Sequence, residues 1–397
     1  MKNDINIQVQ LGKINDTQKV LDYPPQMFSF SIEESIYSVI PTASITMQDI
    51  LGVGIETLVF EKGNEIEILA KSENARISNT FVVTNYSTSP NTGSAFNPDV
   101  NLLLAHKILN SQTEKSAVYT GRISNILRTV FKEYSFTPLS NDTGNSADWY
   151  QLNETDLEFL KRLTKYMYSK NANQTPFCAW LDIDNKFNIR NMSSMESTKP
   201  VAEFYVTTGG QGKNYKNIAN NLTKIDDVSF NTVKNKGINQ YFIDPDTGEL
   251  KKETYLNSDF PKSTNKKRLQ ANSKELVTSN IFQLFSDTQD NGILENRKGE
   301  VINSKRMSYF TERFAFSCVT SDASLKLRAG NNIKLVSSIA GNENSVKRSP
   351  YFEGGNFVIE KKIDSWESTT GKMNTYFVVG RRLINTSPQV PAYSALD

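Results

Sequence analysis

The segments FEKGNEIEIL at residues 60–69 and LRAGNNIKLV at residues 327–336 decide the fold, because they are two versions of one pattern. In each, a glycine and an asparagine precede a run in which apolar and polar residues alternate. Such alternation is typical of a β-strand, and a glycine ahead of it is typical of a tight turn. The shared positions are Gly63, Asn64 and Ile66 in the first segment and Gly330, Asn331 and Ile333 in the second.

Two further pairs of segments match in the same order along the chain. TFVVTNY at 80–86 resembles NFVIEKK at 356–362, and DVNLLLAHKIL at 99–109 resembles NTYFVVGRRLI at 374–384. The last match predicts a strand at 99–109, although that segment taken alone could be a helix. One short match arises easily by chance, but three in the same order indicate a duplicated β domain.

The rest of the chain divides around these two copies. The first hundred residues alternate like strands and are separated by turns rich in Gly, Asn, Ser and Pro, which is typical of an antiparallel barrel or sandwich. Helical spacing and a hairpin pattern then predict a small α+β domain, and a polar stretch follows it. A short helix is predicted over SKELVTSNIFQLF at 273–285. The predicted regions are a first β-barrel (1–110), an inserted α+β domain (111–205), a polar connection whose first part could belong to the second barrel (206–300), a second, discontinuous β-barrel (301–388) and a flexible tail (389–397).

WYQLNETDLEFLKRL at 149–163 predicts an amphipathic helix in the inserted domain. Asn153 is predicted as its N-cap, and Glu154 and Asp156 lie where the helix dipole favours negative charge. The two acids could instead be a pair for acid–base catalysis, but capping alone accounts for them. The apolar face predicts burial and comprises Leu157, Phe159, Leu160, Leu163, Tyr166 and Met167, with Glu154, Glu158, Lys161, Arg162 and Lys165 on the polar face.

Composition excludes several classes of function. The 397 residues include 45 basic and 43 acidic side chains, so the charge gives no case for a nucleic-acid or membrane partner. No apolar run is long enough to cross a bilayer, and the N-terminus lacks the apolar core of a signal peptide. The basic run NKKRLQ at 265–270 lacks interleaved aromatics and is expected to be a solvated loop.

The chain also lacks an obvious catalytic or metal-binding set. Cys178 and Cys318 lie in strand-like runs, where a cysteine usually acts as a small buried apolar residue. His106 is the single histidine, which leaves no His-based zinc site and predicts a structural role for it. We therefore expect no cofactor, no metal and no enzymatic activity.

At this point the sequence resembles the baseplate hub proteins of contractile phage tails, to which the hub half of type VI secretion spike proteins and late-control D proteins are related. The Gly-Asn turn, YFEGGNFVIEKKI and the closing YFVVGRRL carry this resemblance. So does QLNETDLEFLKRL, in which Thr155 stands where the family usually has Ser. The glycine that often follows this helix in the family is missing, which suggests a divergent member. The resemblance covers residues 1–205 and 300–385.

The resemblance implies a structural role in the virion, at the tail baseplate, after assembly in the host cytoplasm. A chain with two copies of a tail-tube-like domain, assembled as a homotrimer, would present six similar domains in a ring. Such a ring could join the sixfold tail tube to the threefold central spike and form part of the channel for genome ejection. The implied partners are the tube protein, the spike protein and other baseplate proteins, without specific nucleic-acid binding or membrane insertion. Because the sequence ends after the second barrel, a stand-alone hub like that of T-even phages is expected.

Other interpretations remain open from the sequence. The chain could be the hub of a phage-derived injection machine, such as a type VI or extracellular contractile system. A tail-associated peptidoglycan hydrolase is disfavoured because no catalytic motif is present, and a carbohydrate-binding β protein is disfavoured because burial in strands accounts for the aromatics. If a payload passes through the ring, NKKRLQ at 265–270 and GRRL at 380–383 are expected to face outward, since basic side chains in a channel would hold DNA.

Overall fold

The computed structural model describes sixteen stretches of the 397 residues. They are 6–11, 28–48, 61–71, 74–91, 94–137, 146–167, 175–208, 224–230, 237–243, 248–256, 279–283, 299–300, 302–304, 306–310, 312–339 and 356–381.

These stretches contain twenty strands, four α-helices and two 3₁₀ helices. The strands are β1 (Asn6–Leu11), β2 (Phe28–Ser35), β3 (Thr42–Gln48), β4 (Glu65–Lys71), β5 (Arg76–Asn91), β6 (Ser94–His106), β7 (Lys115–Gly121), β8 (Ser135–Phe136), β9 (Ala147–Glu154), β10 (Phe177–Leu181), β11 (Lys186–Asn191), β12 (Ala202–Thr208), β13 (Lys224–Phe230), β14 (Gly237–Ile243), β15 (Leu250–Leu256), β16 (Ser279–Gln283), β17 (Glu312–Val319), β18 (Asn332–Ile339), β19 (Asn356–Glu367) and β20 (Lys372–Arg381). The α-helices are α1 (Ile123–Val130), α2 (Asp156–Thr164), α3 (Met192–Ser197) and α4 (Asp322–Lys326), and the 3₁₀ helices are Lys107–Ser111 and Arg306–Ser308.

Two sets of six strands have the same hydrogen-bonded order. The first unit runs β1-β4-β5-β6-β3-β2, and the second unit runs β12-β18-β19-β20-β17-β13. The order matches strand for strand, with one difference in direction: β1 pairs with β4 antiparallel, whereas β12 pairs with β18 parallel. The predicted fold class, mainly β with two related β domains and a smaller α+β domain, is confirmed.

The match between the units extends to the register of individual residues. Val82 lies opposite Ala105 in the first unit, and Val358 lies opposite Gly380 in the second. Both long strands then carry one extra residue at the same point, Thr84 in β5 and Glu360 in β19. A β-bulge bends a strand and increases its twist, so the two units share a bend as well as an order.

Each unit folds around its own core, and the two cores use equivalent positions. The inward side chains alternate along the strands, as a half-buried sheet requires. Equivalent buried pairs are Ala43 and Phe314, Ile45 and Phe316, Met47 and Cys318, Ile66 and Ile333, Ile68 and Leu335, Phe81 and Phe357, Val83 and Ile359, Leu102 and Phe377, and Leu104 and Val379. Larger residues in β17 and β20 replace smaller ones in β3 and β6, so the same backbone encloses a more aromatic core in the second unit.

The two units are joined edge to edge. Strand β2 of the first unit pairs antiparallel with β19 of the second, with Ser29 opposite Glu367 and Ser35 opposite Lys361. All twelve strands therefore belong to one continuous hydrogen-bonded sheet.

The inserted domain lies between the two units in sequence and has a separate core. It contains the β7–β9 hairpin, helices α1 to α3, and the β10–β11 hairpin, to which β8 adds a parallel strand. Apolar side chains of α1, α2, Trp149 and the β10–β11 hairpin form the core, with Val39 and Ile40 of the first unit packed at its margin.

A small third sheet lies in the polar region. Strand β14 pairs antiparallel with β15 and parallel with β16. The helix predicted over 273–285 is wrong at Ser279–Gln283, which form β16, because pairing with β14 overrides the local helical pattern. The basic run at 265–270 and the tail at 389–397 lie outside the described residues.

Candidate functional site: the junction between the two β units

The repeated turns have the same hydrogen bonds. Gly63 donates its N–H to the carbonyl of Val83 over 2.9 Å, and Gly330 donates to the carbonyl of Ile359 over 2.8 Å. Gly63 has φ +91° and Gly330 has φ +79°, a backbone region in which a Cβ is unfavourable. After each turn, Ile66 and Ile333 are fully buried.

The surroundings of the two turns differ. A Cβ on Gly63 would meet nothing closer than 3.8 Å, whereas a Cβ on Gly330 would lie 2.5 Å from the Trp180 ring. Arg190 also donates to the Gly330 carbonyl over 3.2 Å. The turn of the second unit is therefore seated on the inserted domain, and the glycine is required there for space as well as for its φ angle.

The β10–β11 turn, residues 182–185, contacts the first unit through three hydrogen bonds. The Ile183 N–H donates to Glu34 over 3.2 Å, and its carbonyl accepts from the Asn79 side chain over 2.8 Å. The Asn185 side-chain oxygen lies 2.6 Å from Nε2 of His106. The sequence predicted a turn at 184–186 but gave no sign of these contacts.

The same turn contacts the second unit through an ion pair. Both carboxylate oxygens of Asp184 accept from the Arg328 guanidinium, over 2.7 and 2.8 Å. Arg328 also donates to the carbonyls of Leu325 and Leu327, which fixes its direction. Although burial acts to raise the pKa of Asp184, the bonds from Arg328 lower it below the usual value. Residues 182–185 therefore connect both β units.

Glu34 of β2 lies at the centre of this junction and is 4% exposed. Its second carboxylate oxygen accepts from the Ala329 N–H over 2.5 Å, so one side chain bridges the inserted domain and the second unit. Burial raises the pKa of Glu34 to about 7, and the opposing attraction of Arg328 only partly offsets it. The nearby Asp182, buried beneath the same turn, also has a raised pKa because of burial.

A second polar cluster lies at the bulge of β19. Glu360 is 2% exposed and accepts from Arg313 Nε over 2.8 Å and from the Tyr37 hydroxyl over 2.6 Å. Tyr37 belongs to the turn after β2, so this cluster also spans the two units. Two residues further along β19, Lys362 and Asp364 form a buried ion pair at 2.7 Å. The junction is thus held by specific charged contacts as well as by strand pairing.

His106 is structural, as predicted. It is fully buried, its Nδ1 accepts from the Ile108 N–H over 3.2 Å, and its Nε2 donates to Asn185. Burial lowers the pKa of His106 to about 4. Because Nδ1 already faces a donor, the neutral imidazole is the form that this site accommodates.

The predicted N-cap of α2 is wrong. Thr155, two residues later, is the cap: its hydroxyl accepts from the Glu158 N–H over 3.3 Å while its own N–H donates to the Glu158 carboxylate over 2.8 Å. Asn153 instead lies at the end of β9 with φ +51°, and its side chain donates to Glu114. The reciprocal pair of bonds satisfies two free donors, which a single asparagine could not do.

The remaining motif residues build the inserted domain. Phe159, Leu160 and Leu163 are fully buried in its core. Asp156 pairs with Lys115 at 2.7 Å and accepts from Gln151 over 3.0 Å, which ties the helix start to the β7–β9 hairpin. Glu154 pairs with Arg162, so neither acid of the considered catalytic pair is available for that role. The repeat turns and this helix are therefore separate structural features and do not converge on one site.

Asn303 is a connecting residue that the sequence did not indicate. Its side-chain nitrogen donates to the carbonyls of Lys165 and Met167 at the end of α2, and its oxygen accepts from the Phe177 N–H over 2.7 Å. A single Asn within a polar stretch gives no pattern from which these contacts could have been predicted.

Other chemical groups in the described residues are buried or lack partners of the right kind. Cys178 and Cys318 are buried, and burial raises the pKa of each thiol to about 12. No group of three or more His, Cys, Asp or Glu side chains there could hold a metal ion. No helix in these parts of the chain is long and apolar enough to cross a membrane. The outward orientation expected for GRRL is wrong at Arg381, which is 3% exposed with its guanidinium 4.5 Å from the Phe357 ring centre.

No protein-family model matches the sequence, and no curated protein matches it either. Solved structures do. A tail protein from Neisseria meningitidis MC58 has a TM-score of 0.55 at 10% identity, covering 96% of this chain and 97% of that one. The 43 kDa tail protein of prophage MuSo2 from Shewanella oneidensis has a TM-score of 0.54 at 11% identity, with the same coverage. An Escherichia coli component of the type VI secretion system has a TM-score of 0.48 at 10% identity, over 96% of this chain and 80% of that one.

The first two likenesses extend over nearly the whole of each chain, so they include both β units and the inserted domain. They agree with the resemblance that the Gly-Asn turns and the QLNETDLEFLKRL motif carry. This chain has the fold of phage tail proteins.

Proposed function

We propose that this chain is a structural baseplate hub of a phage tail. In this proposal three copies form a ring in which the two β units alternate around a pseudo-sixfold axis. The ring joins a sixfold tail tube to a threefold central spike and forms part of the channel for genome delivery.

The observation that carries the proposal is the β2–β19 pairing, which places two equivalent units side by side in one sheet. A rotation that relates one unit to the next, repeated around a closed ring, generates similar positions from a chain that contributes two. With two units a chain, three chains supply six positions and a threefold axis at once. That combination suits a protein between partners of sixfold and threefold symmetry.

The inserted domain supports the same role. Its turn at 182–185 contacts both units, and Gly330 of the second unit is seated on Trp180. These contacts fix the angle between the two units, which a ring with uniform neighbours requires. We infer that the inserted domain forms a collar outside the ring, where it is available to other baseplate proteins.

We further propose that the chain is not an enzyme and binds neither DNA specifically nor membranes. The cysteines are protonated and buried, the imidazole is neutral and hydrogen-bonded on both sides, and Glu154 and Asp156 are engaged in ion pairs. The 45 basic and 43 acidic residues nearly balance, so the overall charge supplies no attraction for DNA phosphates.

Sedimentation velocity followed by cryo-electron microscopy tests the proposal. We expect the mass of a trimer of the 44.7 kDa chain and a ring in which the two units alternate. A hexamer, a persistent monomer at high concentration, or a ring without alternation would contradict it.

A further inference from the structure

The second half of β5 has an exposed edge. Residues 76–82 of β5 pair with β4, but beyond the bulge at Thr84 the strand has only β6 as a neighbour among the residues described. Asn85, Tyr86, Ser87 and Thr88 are exposed, and Tyr86 is 42% exposed. An unpaired strand edge presents free N–H and C=O groups that can pair with another strand.

The equivalent half of β19 is not exposed. Residues 361–367 pair with β20 on one side and with β2 on the other. Lys362, Asp364 and Trp366 are buried there. The second unit therefore shows what occupies this edge: the strand of the adjoining unit that follows β3 in hydrogen-bonded order.

The strand equivalent to β2 is β13, which lies at the other end of the continuous sheet. Strand β13 pairs with β17 as β2 pairs with β3, and within the described stretches it has no second strand neighbour. The chain thus ends in one edge of each kind, and these are the two edges that meet inside it at β2 and β19.

We propose that β13 of one copy of this chain pairs antiparallel with the second half of β5 in the next copy, repeating the β2–β19 junction between chains. The occupant of each edge is a second copy of this chain. This inference rests on the proposed ring and adds which strands close it and in what register.

The register follows from the repeat. Ser87 lies opposite Asn101 as Ile363 lies opposite Tyr376, and these positions are equivalent in the two units. Ser229 lies opposite Arg313 as Glu33 lies opposite Thr42, which are again equivalent positions. Since Ile363 lies opposite Glu33 within the chain, Ser87 lies opposite Ser229 of the next copy, and Thr88 lies opposite Val228.

Engineered disulfides test this register. Ser87→Cys with Ser229→Cys, and Thr88→Cys with Val228→Cys, place cysteines at two successive directly opposed pairs, where Cβ atoms lie about 4.5–5.5 Å apart. Of two successive pairs, one is the non-hydrogen-bonded type in which side chains are closer. Asn85→Cys with Ser229→Cys is out of register by two residues, about 7–8 Å away, and should not cross-link.

The intramolecular reference is Glu33→Cys with Ile363→Cys, which are opposed within one chain. The natural Cys178 and Cys318 are buried and should not react. After mild oxidation of the assembled full chain, a non-reducing gel should show covalent trimers for at least one in-register variant. The reference variant should cross-link within the chain and remain at monomer size on the gel.

Native mass under reducing conditions separates the possible outcomes. A trimer that cross-links at neither in-register pair, or only at the out-of-register pair, overturns the strand pairing and leaves the proposed hub intact. A monomer or hexamer by native mass overturns both. Because each variant is checked for the trimer mass before oxidation, a folding failure is recognised as such, and the second in-register variant then decides.

Discussion

The two β units share strand order, register, bulge and buried positions, yet they differ wherever one of them meets another part of the molecule. Gly63 is open and Gly330 is against Trp180. Thr84 is partly exposed at its bulge, whereas Glu360 is buried with Arg313 and Tyr37. His106 ends β6 as a neutral imidazole, whereas the equivalent Arg381 ends β20 over Phe357. The shared positions therefore specify the unit, and the differing positions specify its neighbours.

The largest loss is expected in the inserted domain, which gives the second unit its different surroundings. Leu160→Ala should lower the free energy of unfolding by about 2–5 kcal/mol, because the fully buried side chain leaves a cavity. Lys161→Ala, on the exposed face of the same helix, should change it by no more than about 0.5 kcal/mol. Denaturant titration measures both, and equal losses would contradict the assigned face. Lys161 is a better control than Glu158, whose carboxylate caps the helix.

The bulges provide the next comparison. Glu360→Ala should cost about 2–4 kcal/mol, because it leaves the half-buried Arg313 without its carboxylate. Thr84→Ala at the equivalent position of the first unit should cost about 0.5 kcal/mol. Chemical denaturation of the two variants checks this, and similar costs would mean that the bulge itself, rather than its partner, is what matters.

The glycine turns separate backbone strain from steric fit. Gly63→Ala should cost about 1–2 kcal/mol because of its positive φ alone. Gly330→Ala incurs the same strain and also forces Trp180 to move, so it should cost about 1–3 kcal/mol more. Thermal unfolding of the pair gives the difference. If it is zero, the second turn is not seated on the inserted domain.

The smallest effect concerns pH. Because burial lowers the pKa of His106 to about 4, its stabilising contribution is present above the unfolded pKa of 6.5 and is lost as pH falls toward 4. Between pH 7 and 5.5 the loss is about 1 kcal/mol. Glu34, with its raised pKa, acts in the opposite direction, so wild type is compared with His106→Gln at each pH. The gap between them should narrow on acidification, and a constant gap would contradict the buried neutral imidazole.

The features predictable from sequence were those fixed by local chemistry. A glycine with positive φ followed by alternating residues marks a turn and strand wherever it occurs, so Gly63 and Gly330 revealed the duplication. The burial of Phe159, Leu160 and Leu163 followed from helical spacing. The N-cap was misplaced because Asn and Thr both suit that position. Only the reciprocal bond to Glu158 decides between them.

The junction could not be predicted, because it consists of contacts between distant residues. Tyr37 and Glu360 are 323 residues apart, and Glu34 and Ala329 are 295 apart. Nothing near Glu34 in the sequence distinguishes it from the neighbouring Glu33, which is only half-buried and pairs with Lys361. Similarly, β16 has a helical pattern locally and becomes a strand only because β14 lies beside it.

The pairing of β2 with β19 has a consequence for synthesis of the chain. During translation, β2 emerges early, but its outer edge must wait for about 320 further residues before its partner exists. At ribosomal rates of about 5–20 residues per second, that interval is on the order of tens of seconds. Throughout it, the nascent chain carries an open edge that another nascent chain could occupy wrongly. Slow translation or crowded polysomes should therefore favour mispaired oligomers of this protein, and the last strands to be made release it from that risk.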